Sequence, residues 1–181
     1  MNLRRSGRFL LYLLLAGIAA TAILGAVLYA RIEPQLPSIE VLRDVQLQEP
    51  LRVYTRDRRL LAEFGEKRRT PVQIADVPDG LVHAFLAAED DSFFTHSGVD
   101  FMGLMRAAVE LVRTGKKRQG GSTITMQVAR NFFLSSEKTY LRKLTEILLS
   151  FKIEGSLSKD EILELYLNKI YLGQRAYGVE A

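Results

Sequence analysis

Residues 9–30 form an apolar run without a single charge. At about 1.5 Å per residue, a helix of that length crosses a hydrocarbon core of roughly 30 Å. A cleaved leader would have an apolar stretch of only about 7–15 residues, and no small-x-small site closes this one. A buried core helix would show a polar face, and none is present. Arg4, Arg5 and Arg8 precede the run, and positive flanks stay on the cytoplasmic side. Arg31 follows it and softens the contrast. The expectation is a cytoplasmic tail over 1–8, a single transmembrane anchor over 9–30, and a body outside the cytoplasm.

The remaining chain, in a total of 181 residues, suffices for one domain. Residues 31–50 carry three prolines and mixed charge, the composition of an extended stalk. That leaves 51–181 for the domain. A formal charge of +4 is too small over this length to indicate nucleic acid, although Lys116, Lys117 and Arg118 cluster. Cysteine is absent, which excludes disulfides and thiolate chemistry.

Residues 52–55 and 60–64 flank Arg56-Asp57-Arg58-Arg59, and the pattern predicts a β-hairpin whose turn lacks glycine. Residues 70–74 suggest another short strand. Pro78-Asp79-Gly80 opens a helix in which Leu81, Phe85 and Glu89 recur every four residues. Glu89 thus continues an apolar stripe, a setting that would raise the pKa of a carboxylate. Asp90, Asp91, Phe93, Phe94, His96 and Gly98 follow directly. A solvated acidic helix end is the plain reading; the convergence of capable groups favours catalysis.

Residues 100–113 have helical spacing, with Phe101, Leu104, Met105, Ala108, Leu111 and Val112 apolar. They fit a core-facing helix or an amphipathic segment lying on a membrane, and the sequence does not separate these. In Gly120-Gly121-Ser122-Thr123, the glycines free the backbone and Ser122 or Thr123 can cap the next helix. Such an N-terminus is a natural anion site. Residues 140–154 read as a helix with Leu141, Leu144, Ile147, Leu148 and Phe151 on one side. Glu146 lies off that row, one turn beyond Arg142 and Lys143, neighbours that favour the ionised form. A surface ion-pair cluster is the ordinary explanation. Ser158-Lys159-Asp160-Glu161 is a capping box, and Ile162, Leu163, Tyr166, Leu167 and Ile170 form the buried face of the helix it opens. Ser135-x-x-Lys138 and Ser156-x-x-Lys159 match a serine-nucleophile motif, but neither Ser-Asp-Asn nor Lys-Thr-Gly accompanies them.

Four ordered blocks carry a resemblance. Residues 89–98 fit E-D-x-x-F-x-x-H-x-G, and 120–131 fit G-x-S-T-I-x-x-Q-x-x-R/K-N. Residues 142–146 fit R-K-x-x-E, and 159–179 fit K-x-E-I-L-E-x-Y-L-N-x-I-Y-L-G-x-x-x-Y-G-V. Together they resemble the peptidoglycan glycosyltransferase domain of bifunctional class A penicillin-binding proteins (glycosyltransferase family 51), from about residue 52 onward. Ser150 stands where alanine is usual and Glu180 where glycine is usual. The chain ends at Ala181 inside the fourth block, so the expectation is a domain truncated at its C-terminal end. Apolar faces of its last two helices would then be partly uncovered.

The resemblance implies a mainly α, lysozyme-like fold with a small N-terminal β-hairpin region, behind one transmembrane helix. It implies an enzyme of cell-wall synthesis that polymerises lipid II onto a growing glycan strand, with inversion and release of undecaprenyl pyrophosphate. Matched position by position, Glu89 is the general base and Glu146 the second carboxylate, on the donor side. Arg130, Lys138, Arg142 and Lys143 supply cationic surface; Asp90, His96, Ser122, Thr123 and Gln127 bind substrate. A divalent cation, magnesium or manganese, could accompany the pyrophosphate, though no metal-ligand cluster is evident. Partners would be lipid II, the membrane and other cell-wall synthesis proteins, at the bacterial cytoplasmic membrane. The rival readings are a glycan-cleaving enzyme of lysozyme type and an inactive membrane-anchored scaffold.

Overall fold

In a computed structural model of the chain, residues 3–115, 120–135, 137 and 139–181 are described, with side chains from Tyr12 onward. Lys138 and the cluster Lys116-Lys117-Arg118 lie outside the described residues. The chain divides into two compact units, Met1–Pro37 and Ser38–Ala181. The first is helix α1, Leu3–Ile32, closed by a 3-10 turn at Glu33–Gln35. Residues Tyr12–Gln35, with mean hydropathy 2.2, are long and apolar enough to cross a membrane.

The second unit is mainly helical. Strands β1 (Leu51–Tyr54) and β2 (Leu60–Phe64) pair antiparallel, Leu51 opposite Phe64. Their turn manages without glycine because Arg58 takes a left-handed φ of 62° and the Thr55 hydroxyl accepts the Arg59 N–H at 3.0 Å. Then come α2 (Asp79–Glu89), α3 (Phe101–Thr114), α4 (Ile124–Phe133), α5 (Tyr140–Ser156) and α6 (Lys159–Lys169). A small hairpin, β3 (Tyr171–Gly173) with β4 (Ala176–Tyr177), follows α6. Residue Arg68 lies parallel beside β4, exchanging backbone hydrogen bonds with Arg175 and Tyr177.

The core is α4 packed on α5 and α6. It seals Ile124, Met126 and Val128 against Leu149 and Ile153 of α5 and Ile162, Leu163 and Leu167 of α6. Each such side chain contributes about 1.5–3 kcal/mol of transfer free energy. Helix α6 starts with the expected capping box: Ser158 and Glu161 bond each other's backbone N–H.

Several expectations are corrected here. The face that α5 buries is Glu146, Leu149, Ser150 and Ile153, whereas Leu141 and Phe151 are exposed and Leu144, Ile147 and Leu148 are half-buried. The buried positions still recur at helical spacing, so the helix is right and its facing wrong. In α6 the apolar face is covered, with only Ile170 half-buried. No strand forms over 70–74. Instead side chains of α6 pair with that segment: Asn168 bonds both Val72 N–H and C=O, and Glu164 accepts the Ile74 N–H at 2.7 Å. The stalk is only partly extended, since Ile39 and Leu42 are buried in a 3-10 turn and Arg43 donates to the Ser156 carbonyl. Finally, α3 has no buried residue; Met102, Met105, Val109 and Val112 are all exposed, which removes the core-helix reading.

Candidate active site

Helix α2 ends at Glu89 because Asp90 leaves helical geometry (φ −163°), and the chain turns through the tight segment 91–98. Asp90 faces inward with its side chain 3 % exposed. Its carboxylate accepts the Ile124 N–H, the first of α4, at 3.0 Å, and both its oxygens lie 3.0 Å from His96 Nε2. His96 Nδ1 accepts the Gly98 N–H, so the Nε2 proton is the one that points at Asp90. The Thr123 hydroxyl caps α4 by accepting the Met126 N–H, and donates to the Gly98 carbonyl at 2.6 Å. Gly98 has φ +93°, and a Cβ there would lie 2.9 Å from the Ser150 carbonyl oxygen. Only glycine fits such a backbone approach. The 89–98 and 120–131 blocks are therefore bolted together, with α5 behind them. The anion expected at the start of α4 is already supplied by Asp90, which neutralises the exposed dipole end.

This clamp forms one wall of a cleft of about 480 Å³, lined among others by Glu89, Asp90, Ser122, Thr123, Gln127 and Arg130. Six residues singled out from the sequence meet here. A larger hollow of about 680 Å³, bordered by Leu42, Val72 and Glu161, holds none of them. Glu89 is exposed on the cleft wall and accepts a hydrogen bond from Gln127 Nε2 at 2.8 Å. The apolar enclosure expected for it is absent: Leu81 is exposed, Phe85 half-buried, and α2 buries no residue.

Glu146 has the opposite surroundings. It is 1 % exposed and is paired with Arg142 Nη1 and, at 3.0 Å, with Lys143 Nζ. The surface ion-pair explanation is thereby overturned. Lys143 Nζ also reaches Ser122 Oγ at 2.9 Å and so ties this buried acid to the cleft rim. Among the described residues, no group of three or more His, Asp or Glu side chains is placed to hold a metal.

Other residues near the cleft were given no role at the site by the sequence. Asp100 caps α3; the Gly103 N–H is the main cause holding its carboxyl below the usual range, with Ser92 and Arg106 adding to it. Arg106 lines the cleft, 3.5 Å from Asp100. Lys159 donates to the His96 carbonyl and to Glu154, both at 2.7 Å, and lies 4.4 Å above the Phe93 ring. Its place in the fourth block was the one available signal. Tyr166, at 0 % exposure, packs edge-on against Phe85.

Residues 57–181 match the family model described as Transglycosylase. The chain is 60 % identical over 157 residues to penicillin-binding protein 1A of Pseudomonas aeruginosa, covering 87 % of this chain and 19 % of that protein. It is 56 % identical over 154 residues to the protein of that name in Escherichia coli, covering 85 % and 18 %. For that of Vibrio cholerae the identity is 50 % over 164 residues, covering 91 % and 20 %. The chain thus spans about a fifth of the length of these relatives.

Proposed function

This chain belongs to the transglycosylase family, and from that premise we propose that it joins lipid II units into peptidoglycan glycan strands. The observation that carries the proposal is the pairing of two unlike carboxylates. Glu89 is accessible in the cleft, while Glu146 is sealed between two cations, one of which extends to the cleft rim.

In this reading the acceptor sugar's 4-hydroxyl gives its proton to Glu89 as its oxygen attacks the anomeric carbon of the donor. The bond from that carbon to undecaprenyl pyrophosphate breaks with inversion. Glu89 is exposed in the free chain, so the bound sugars supply the desolvation that tunes it as a base. Gln127 holds its carboxylate until substrate arrives. Arg130, Arg142 and Lys143 balance the charge of the leaving pyrophosphate. Glu146 takes no proton; it holds Arg142 and Lys143 in place. A divalent cation accompanying the pyrophosphate would add to the positive charge that these side chains supply. Residues Tyr12–Gln35 anchor the chain in the bacterial cytoplasmic membrane, with the catalytic unit outside the cytoplasm.

Incubation of the purified chain with lipid II tests the proposal, with glycan polymer as the expected product. Glu89→Gln keeps the shape and removes the base; it should slow polymerisation on the order of 10²–10⁴-fold with lipid II binding retained. Cleavage of preformed glycan in place of polymerisation, or near-normal turnover by Glu89→Gln, would sink it. Protease added outside spheroplasts should digest the region after Arg31; its protection would overturn the orientation.

A further inference from the structure

The phenol of Tyr166 is a buried group near the cleft whose position the chemistry above leaves unexplained. Tyr166 sits on the core face of α6 at 0 % exposure, and its hydroxyl has no hydrogen-bond partner among the described residues. A buried polar group left unpaired is costly, and buried hydroxyls nearly always find partners. The ring packs edge-on against Phe85, with centroids 6.0 Å apart. Glu89 follows Phe85 by one turn on the same face of α2. Burial pushes the phenol's pKa up, the negative charge of Glu89 pushes it further, and Arg130 of α4 opposes them. Glu89 from α2 and Arg130 from α4 are thus the charged groups facing it. In the free chain the Glu89 carboxylate is turned to Gln127 instead.

We propose that Tyr166 is a positioning residue whose hydroxyl donates to Glu89 once Gln127 turns from that carboxylate to the substrate. This rests on the reading of Glu89 as the general base. The exchange explains both observations: why a buried hydroxyl stands idle in the free chain, and why its ring packs on Phe85, one turn before the base. A neutral phenol suits the task, because it stabilises the carboxylate without contributing a competing charge. Gln127 is then released to bind sugar without leaving Glu89 unsupported.

The test uses Tyr166→Phe, which removes the hydroxyl alone, in two backgrounds. In the otherwise native chain it should leave Tm unchanged or slightly raised, since an unpaired hydroxyl is lost. In Gln127→Ala, where Glu89 is free to turn, the same change should lower Tm by several degrees. An equal effect in both backgrounds would show that phenol and carboxylate never meet, and would overturn the proposal. In lipid II polymerisation, Tyr166→Phe should reduce kcat about 10-fold with KM little changed. It should also move the acidic limb of the pH–rate profile to higher pH, because Glu89 loses a donor to its charged form. A normal kcat with an unmoved limb would equally overturn it. If the native chain makes no polymer, the melting comparison still decides the hydrogen bond, and the failure belongs to the proposed function.

Discussion

Replacing each of the two carboxylates by its amide separates them by stability alone, without substrate. Glu146→Gln preserves shape but leaves Arg142 and Lys143 facing a neutral group in a site 1 % exposed. Breaking a buried pair costs about 3–5 kcal/mol when the partners are sealed in. Here they are not equally so: Arg142 is 17 % exposed and Lys143 35 %. Lys143 can turn to water, so its share is screened and the expected loss falls to about 2–3 kcal/mol. For a unit of this size, each kcal/mol moves Tm by about 2–4 °C, which gives a fall of about 4–12 °C. Glu89 is exposed and, among the described residues, accepts one hydrogen bond, from Gln127. Glu89→Gln should therefore stay within about 0.5 kcal/mol, or about 2 °C. Thermal melts followed by circular dichroism in one detergent at neutral pH make the comparison. A Glu146→Gln variant that melts with the native chain, or a Glu89→Gln variant that loses as much, would refute the assignment of environments.

Gly98→Ala should destabilise by at least about 1–2 kcal/mol from its left-handed backbone alone, with the contact to the Ser150 carbonyl added. Denaturant titration would show it, and an unchanged midpoint would remove the clamp argument. Asp100 has a depressed pKa, so its contribution to stability is complete above the unfolded value of about 3.9 and fades as pH falls through the folded one. The Tm gap between the native chain and Asp100→Asn should accordingly be widest at neutral pH and close below about pH 4; a gap that widens in acid would contradict the sign. Serine at Met102, Met105, Val109 or Val112 should each cost no more than about 0.5 kcal/mol in detergent, since all four are exposed. Losses of several kcal/mol in these melts would restore α3 to a core.

Much of the architecture was legible because it is local. The apolar run, the capping box at Ser158, a cap of α4 at Ser122 or Thr123 and the Leu81–Phe85–Glu89 spacing each depend on residues within a turn or two of one another. The hairpin was legible too, since the composition of its strands outweighed an unfavourable turn. The fourth block's apolar face on α6 was read correctly because its pattern is unbroken and a partner covers it.

What the chain's own order could not decide is which face meets which neighbour. Periodicity shows that a helix has an apolar row, not that another element lies on it. On α5 the row of leucines and Phe151 stays exposed or half-buried while Glu146 and Ser150 go inward, because α4 and Gly98 approach from that side. On α2 the reverse holds: the stripe leading to Glu89 looks apolar along the chain, yet Leu81 is exposed, Phe85 only half-buried, and Glu89 opens on the cleft. Glu146 thus keeps the cationic neighbours expected of it but is buried with them, and Glu89 lacks the apolar enclosure expected of it. Burial is a property of the space between elements distant in sequence, and it emerges only when α2, α4, α5 and α6 are brought together.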